Sequence, residues 1–192
     1  MELLAVCIMF MCLCVDNMVM ANMSGMKREN DNVRSRFSLR IALTFSLAHA
    51  LFLIFGYLIA WLMAPSFPGS AAAGAWIAFA FVALIGIRLL LETVEKSPSF
   101  ASGDPEVNSK LIKTSILLAL NSAMLGFAMS AAGVEYNFLI PALMLFAVSM
   151  AFSLTGFLIG KPDAKKISTK MAESAAGIIM IILAVRLLYI SL

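Results

Sequence analysis

One carboxylate, two amides and one imidazole stand in stretches of sequence that are otherwise almost wholly apolar. Asp16 and Asn17 adjoin in "CLCVDNMVMAN", His49 interrupts "TFSLAHALFLIF", and Asn121 interrupts "LALNSAMLGF". In hydrocarbon a carboxylate costs roughly 2.5–3.5 kcal/mol on insertion scales, and such groups face a bundle interior or line a pathway. Asp16 therefore calls for a function, whereas His49 and Asn121 taken singly also suit helix–helix hydrogen bonding. Cys12 and Met20 lie four residues either side of Asp16, so one helical face carries a thiol, a carboxylate and a thioether. With the His49 imidazole added, that is a set of donors able to bind a transition metal. Most of the 14 Met residues, however, read as packing.

Other chemistries find no support. There is no Gly-rich phosphate loop, no His-Glu-x-x-His and no nucleophile elbow, so an enzyme is not expected. Cys7, Cys12 and Cys14 share one apolar run, which is neither a disulfide framework nor a zinc-ligand spacing. The basic loops lack interleaved aromatics, so no nucleic-acid partner is expected.

The elements that must position these groups are membrane spans. Of 192 residues, 62% are hydrophobic and 13% charged, against about 25% charged in soluble domains. Hydropathy gives six segments, about 2–22, 39–63, 74–95, 111–131, 138–160 and 171–190, each long enough to cross ~30 Å of hydrocarbon. The first has no basic n-region and no convincing cleavage site, so it reads as a span and not a signal peptide. Twelve of the 14 Lys and Arg residues lie in or beside the first, third and fifth connections, as in "MSGMKRENDNVRSRFSLR" and "KPDAKKISTK". The connections "APSFPGSAAAG" and "AAGVEYN" hold none. The positive-inside rule makes the basic loops cytoplasmic and puts both termini outside. Arg88 and Glu92, four apart, read as an ion pair at the interface.

The halves resemble each other. "LCVDNMVMANMSG" aligns with "LALNSAMLGFAMSAAG", "FGYLIA" with "TGFLIG" and "LIGIRLL" with "ILAVRLL", pairing Asp16 with Asn121, Gly56 with Gly156 and Arg88 with Arg186. The offsets are 105, 100 and 98. Three spans per half reverse the direction of the second half. The expected fold is thus all-α and integral to the membrane, with six transmembrane helices as two inverted three-helix repeats. Residues 1–95 would form the first repeat, 96–110 a cytoplasmic linker and 111–192 the second repeat. Transporters of this plan bind substrate near the midplane between the repeats. Gly56–Ala60 and Gly156–Gly160 supply the small-xxx-small spacing of closely packed helices.

The Asp16 segment and its partner around Asn121 resemble the paired aspartate motifs of the MntP-type manganese efflux pumps. They also resemble the wider LysE superfamily, whose TerC branch has a similar Asp-Asn pair. The third segment, "WIAFAFVALIGIRLLLE", has the MntP family's Trp-Ile-Ala-Phe opening, with Arg88 and Glu92 at the family's spacing. The sixth segment, "AESAAGIIMIILAVRLL", follows the family's last span in outline. The chain departs from the family at Asn121, where the second motif has aspartate, and at His49, where glutamate is common. The resemblance implies secondary-active export of a divalent metal, with Mn²⁺ first, across the bacterial inner membrane. It implies a metal site of Asp16, His49 and Asn121, with Asn17 orienting it. The metal would be substrate, with no cofactor. The remaining partner is the lipid bilayer, and a homo-oligomer is compatible with the plan. An exporter of another substrate or a softer metal, and a non-transporting membrane subunit with a degenerate site, are the alternatives.

Overall fold

The computed structural model describes residues 3–25, 31–63, 71–92, 107–132, 137–160 and 169–191. They form seven helices: α1 (Leu3–Leu13), α2 (Val15–Gly25), α3 (Asp31–Met63), α4 (Ala71–Glu92), α5 (Val107–Ala131), α6 (Leu139–Ile159) and α7 (Thr169–Ser191). Among the described residues five stretches have the length and apolarity to cross a membrane, the first being Leu4–Asn22, which runs through α1 and α2. The sixth long helix, α7, carries Lys170, Glu173 and Arg186 in a mostly apolar sequence. The chain is an all-helical membrane protein.

The first expected segment, 2–22, is not one helix but two, meeting at Cys14. The Cys14 N–H is shared between the carbonyls of Phe10 (3.1 Å) and Met11 (3.2 Å). A second acceptor three residues back tightens the last turn of α1 toward a 3₁₀ form. α2 then starts afresh at Val15, with Asp16 in its first turn. No Pro or Gly marks this break, so the sequence carried no signal for it. α3 begins earlier than the expected 39, at Asp31, so Arg34, Arg36 and Arg40 are helical. Half of the twelve basic loop residues, among them Lys27, Arg28 and Lys165, lie outside the described residues.

Each helix divides into a lipid face and a packed face. On α3, Leu43, Leu47, Leu51, Phe55 and Leu62 are exposed, whereas Phe45, Ser46, His49 and Leu53 are buried. The outward face from Leu43 to Leu62 is apolar and the polar Ser46 and His49 point inward, the arrangement that lipid favours. At several crossings helix backbones come too close for any side chain. A Cβ on Gly56 of α3 would meet the Ala123 carbonyl of α5, and one on Gly156 of α6 would meet the Met18 carbonyl of α2. Without a hydrophobic drive between helices in lipid, such approach supplies the dispersion contacts that hold them.

Two apolar clusters fill the interior. The larger includes Met9, Phe10, Leu13, Leu53, Leu125 and Leu145. The smaller includes Met20, Ala21, Phe45, Leu118 and Phe157. Most of the buried polar residues lie between them along the chain: Asp16 and Asn17 between Leu13 and Met20, His49 between Phe45 and Leu53. Asn121 and Ser122 fall between Leu118 and Leu125, and Ser149 and Ser153 between Leu145 and Phe157.

Candidate functional site

Asp16, 5% exposed, sits in the first turn of α2, next to the α1–α2 break. The positive end of the α2 dipole favours its carboxylate there by roughly 0.3–1 kcal/mol, more when partly buried. Broken helices with polar termini inside the bilayer are where transporters bind ions. The local fold thus offsets part of the cost of the charge.

Asn17 is fully buried and ties three helices together. Its Nδ2 donates to Ser149 Oγ of α6 at 2.8 Å. Its Oδ1 lies 3.0 Å from His49 Nε2 of α3. An amide oxygen only accepts, so Nε2 carries the proton, and His49 Nδ1 is left to accept from the Ser122 hydroxyl of α5. The chain Ser149–Asn17–His49–Ser122 links α6, α2, α3 and α5 in one network.

Asn121 is equally buried but turns away from this network, toward α4. Its Oδ1 accepts from Arg88 Nη1 at 2.8 Å, and Arg88 Nη2 lies 3.5 Å from the Leu117 carbonyl. The structure thus gives Arg88 a partner on another helix, while the Glu92 side chain, its expected partner, lies outside the described residues. Of the four residues singled out from sequence, Asn17 and His49 are in direct contact, Asp16 adjoins Asn17 in the chain, and Asn121 is held by Arg88.

The α2–α6 seam continues the polar layer. Asn22 and Ser153 are 2% and 1% exposed. Among the described residues, Asn22 Oδ1 and Ser153 Oγ have no hydrogen-bond partner. Ser153 is one turn from Ser149, so unfilled oxygens follow directly on a satisfied network. Ser122, Ser149 and Ser153 were missed in the sequence, where a Ser in an apolar helix is commonplace. Their positions one residue after Asn121 and one turn apart on α6 were the available signal. Glu173 of α7 is a second buried carboxylate, at 5% exposure. Among the described residues no group of three His, Cys, Asp or Glu side chains could hold a metal ion. Beside Asp16, the buried side-chain oxygens of this layer include the amides of Asn17 and Asn22 and the hydroxyls of Ser149 and Ser153.

The profile of a family described as "Putative manganese efflux pump" matches residues 32–188 of the chain. A protein of Elusimicrobium minutum named "Putative manganese efflux pump MntP" is 27% identical over 177 residues, covering 92% of this chain and 91% of that one. One of Desulfotalea psychrophila with the same name is 31% identical over 162 residues, covering 82% and 80%. A third, of Oleidesulfovibrio alaskensis, is 26% identical over 192 residues, covering 98% and 97%. No solved structure matches.

Proposed function

The chain belongs to the MntP family, and we propose that it is a secondary-active exporter of a divalent cation from the cytoplasm, with Mn²⁺ the favoured ion. The observation that carries this reading is the polar layer itself. A carboxylate at a helix break adjoins a locked Asn17–His49 network and two buried oxygens, Asn22 Oδ1 and Ser153 Oγ, with no hydrogen-bond partner among the described residues. Oxygen ligands suit hard cations, and an acceptor buried without a donor is one that a cation can satisfy. Asp16 is the anionic ligand, Asn17 orients the site, and His49 and Asn121 shape it. His49 can ligate only by giving up one of its two hydrogen bonds.

Inverted repeats, residues 1–95 and 111–192 joined by 96–110, are supported by paired contacts. Gly56 against Ala123 corresponds to Gly156 against Met18 when residues are shifted by 100 and 105. The His49–Ser122 bond likewise corresponds to Ser149–Asn17. Rocking of the halves about the layer would give alternating access. With both termini outside the bacterial inner membrane, the basic loops meet the cytoplasm.

Flux of radioactive Mn²⁺, Zn²⁺ and Co²⁺ in proteoliposomes tests this function. Protein-dependent Mn²⁺ flux is expected, and its absence for every divalent ion would remove the proposal. The Arg88–Asn121 bond favours one alternative, an exporter of another substrate, because it places a fixed cation on a residue of the layer. A non-transporting subunit would give no flux and no metal resistance unless its partner is present.

A further inference from the structure

We infer that Arg186 of α7 is the internal counter-ion of Asp16, holding its carboxylate when no cation is bound and leaving it when one arrives. The inference rests on the exporter reading for its transport consequence, but its geometry stands on contacts alone. The residue correspondences read from sequence carry α5 onto the α1–α2 segment at an offset of 105, α6 onto α3 at 100 and α7 onto α4 at 98. Two sets of contacts obey them. The close approach of Gly56 to the Ala123 carbonyl is repeated by Gly156 and the Met18 carbonyl. The His49–Ser122 hydrogen bond is repeated by Ser149 and Asn17.

The same offsets carry Arg88 onto Arg186 and Asn121 onto Asp16. Arg88 donates to Asn121 Oδ1 at 2.8 Å. Its counterpart is a guanidinium donating to the Asp16 carboxylate. Arg186 has the same half-buried setting as Arg88, and α7 packs against both α1 and α2. The two contacts differ in chemistry. Arg88 meets a neutral amide, while Arg186 meets a carboxylate, so only the second is a charge pair.

The consequence for transport follows from charge. An empty carrier with a bare buried carboxylate is costly to reorient through hydrocarbon. A guanidinium on Asp16 neutralises it, so the empty protein can return. An incoming dication must displace Arg186, which makes the arginine a competitor of the substrate. Arg186 is a positioning residue and never a ligand.

A double-substitution cycle in purified, detergent-solubilised protein tests the pair without reference to transport. Thermal unfolding is compared for Asp16→Asn, Arg186→Gln and the combination. Coupling is expected: the double variant loses no more Tm than the worse single variant. Additive losses, as expected for Asp16→Asn with Arg88→Gln, would overturn the pair. Should a variant not fold, cysteines at 16 and 186 in a chain freed of Cys7, Cys12 and Cys14 report proximity. A bifunctional methanethiosulfonate as long as an Arg–Asp side-chain pair should join them as it joins 88 and 121, and failure beside that positive control overturns the inference. The exchange step is read by Mn²⁺ titration. Arg186→Gln should bind Mn²⁺ several-fold more tightly while net efflux slows, and unchanged or weaker binding overturns displacement. Coupling in a wild type that neither binds nor moves any divalent ion would leave the pair standing and remove the exporter reading instead.

Discussion

His49 Nε2 lies 3.0 Å from Asn17 Oδ1, joining α3 to α2 at the level of Asp16. Asn17 spends its amide nitrogen on Ser149 and His49 spends Nδ1 on Ser122, so each side-chain nitrogen and oxygen of the Asn17–His49 pair has a partner. Replacing His49 with Leu strands a buried amide oxygen and a buried hydroxyl at once. Each stranded group costs about 1–3 kcal/mol. The variant should unfold at clearly lower temperature in detergent than His49→Gln, which can still reach one neighbour. Equal Tm values for the two would show that the network contributes nothing to stability.

Asp16→Asn should abolish divalent-cation efflux while the protein inserts and folds. An amide keeps the shape of the side chain and can still accept from a guanidinium, as Asn121 does from Arg88. Proteoliposome flux and size-exclusion profiles measured together check both halves of this expectation. Wild-type flux in the variant would leave Asp16 a structural residue.

Hydrophobic runs alone located the spans from 39 onward to within a few residues at most ends, because in lipid the helix is the only open structure that satisfies its own backbone. The α1–α2 break was not legible, since a tightened turn at Cys14 needs neither Pro nor Gly. Asp16, Asn17, His49 and Asn121 stood out because amides, imidazoles and carboxylates are rare in such runs. Ser122 and Ser149 did not, although they complete the hydrogen bonds of His49 and Asn17. Helical phase explains Asn121: a step of one residue turns about 100° around the axis, so Ser122 meets α3 while Asn121 meets Arg88 on α4.

Gly156→Leu should be more disruptive than any polar substitution in the layer. A Cβ at 156 has nowhere to go, since the opposing atom is the Met18 carbonyl, which a rotamer change cannot move. Overpacking costs typically ~1–3 kcal/mol in soluble cores, and here it would also separate α6 from the helix that carries Asp16. Gly56→Leu should behave alike through Ala123. Lower Tm with loss of flux is expected for both, and a variant as stable as wild type would mean that the helices do not pack this closely.

Selectivity should respond to His49 and Asn121 together. An imidazole binds Zn²⁺, Co²⁺ and Ni²⁺ well, whereas Mn²⁺ stands lowest in the affinity order and takes oxygen ligands readily. His49→Glu with Asn121→Asp adds two carboxylates, one of which would lie against Arg88. Metal competition in the flux assay should shift toward Mn²⁺ over Zn²⁺ and Co²⁺ in the double variant. An unchanged order in a folded double variant would show that neither position sets preference.

Ser149 and Ser153, one turn apart on α6 and both buried, should give opposite results when each is replaced by Ala. Ser149 Oγ accepts from Asn17 Nδ2, so its loss leaves a buried amide N–H without a partner and costs about 1–3 kcal/mol. Ser153 Oγ has no hydrogen-bond partner among the described residues. Its removal leaves no group stranded and takes a desolvated hydroxyl out of the interior, so stability should hold or rise. If the unfilled oxygens of Ser153 and Asn22 line the cation's route, Ser153→Ala should still slow Mn²⁺ flux, separating transport from stability at a single atom. Tm and initial flux measured side by side decide the matter: a Ser153→Ala protein with unchanged Tm and unchanged flux takes the α2–α6 seam out of the route and confines the site to Asp16, Asn17 and their immediate partners.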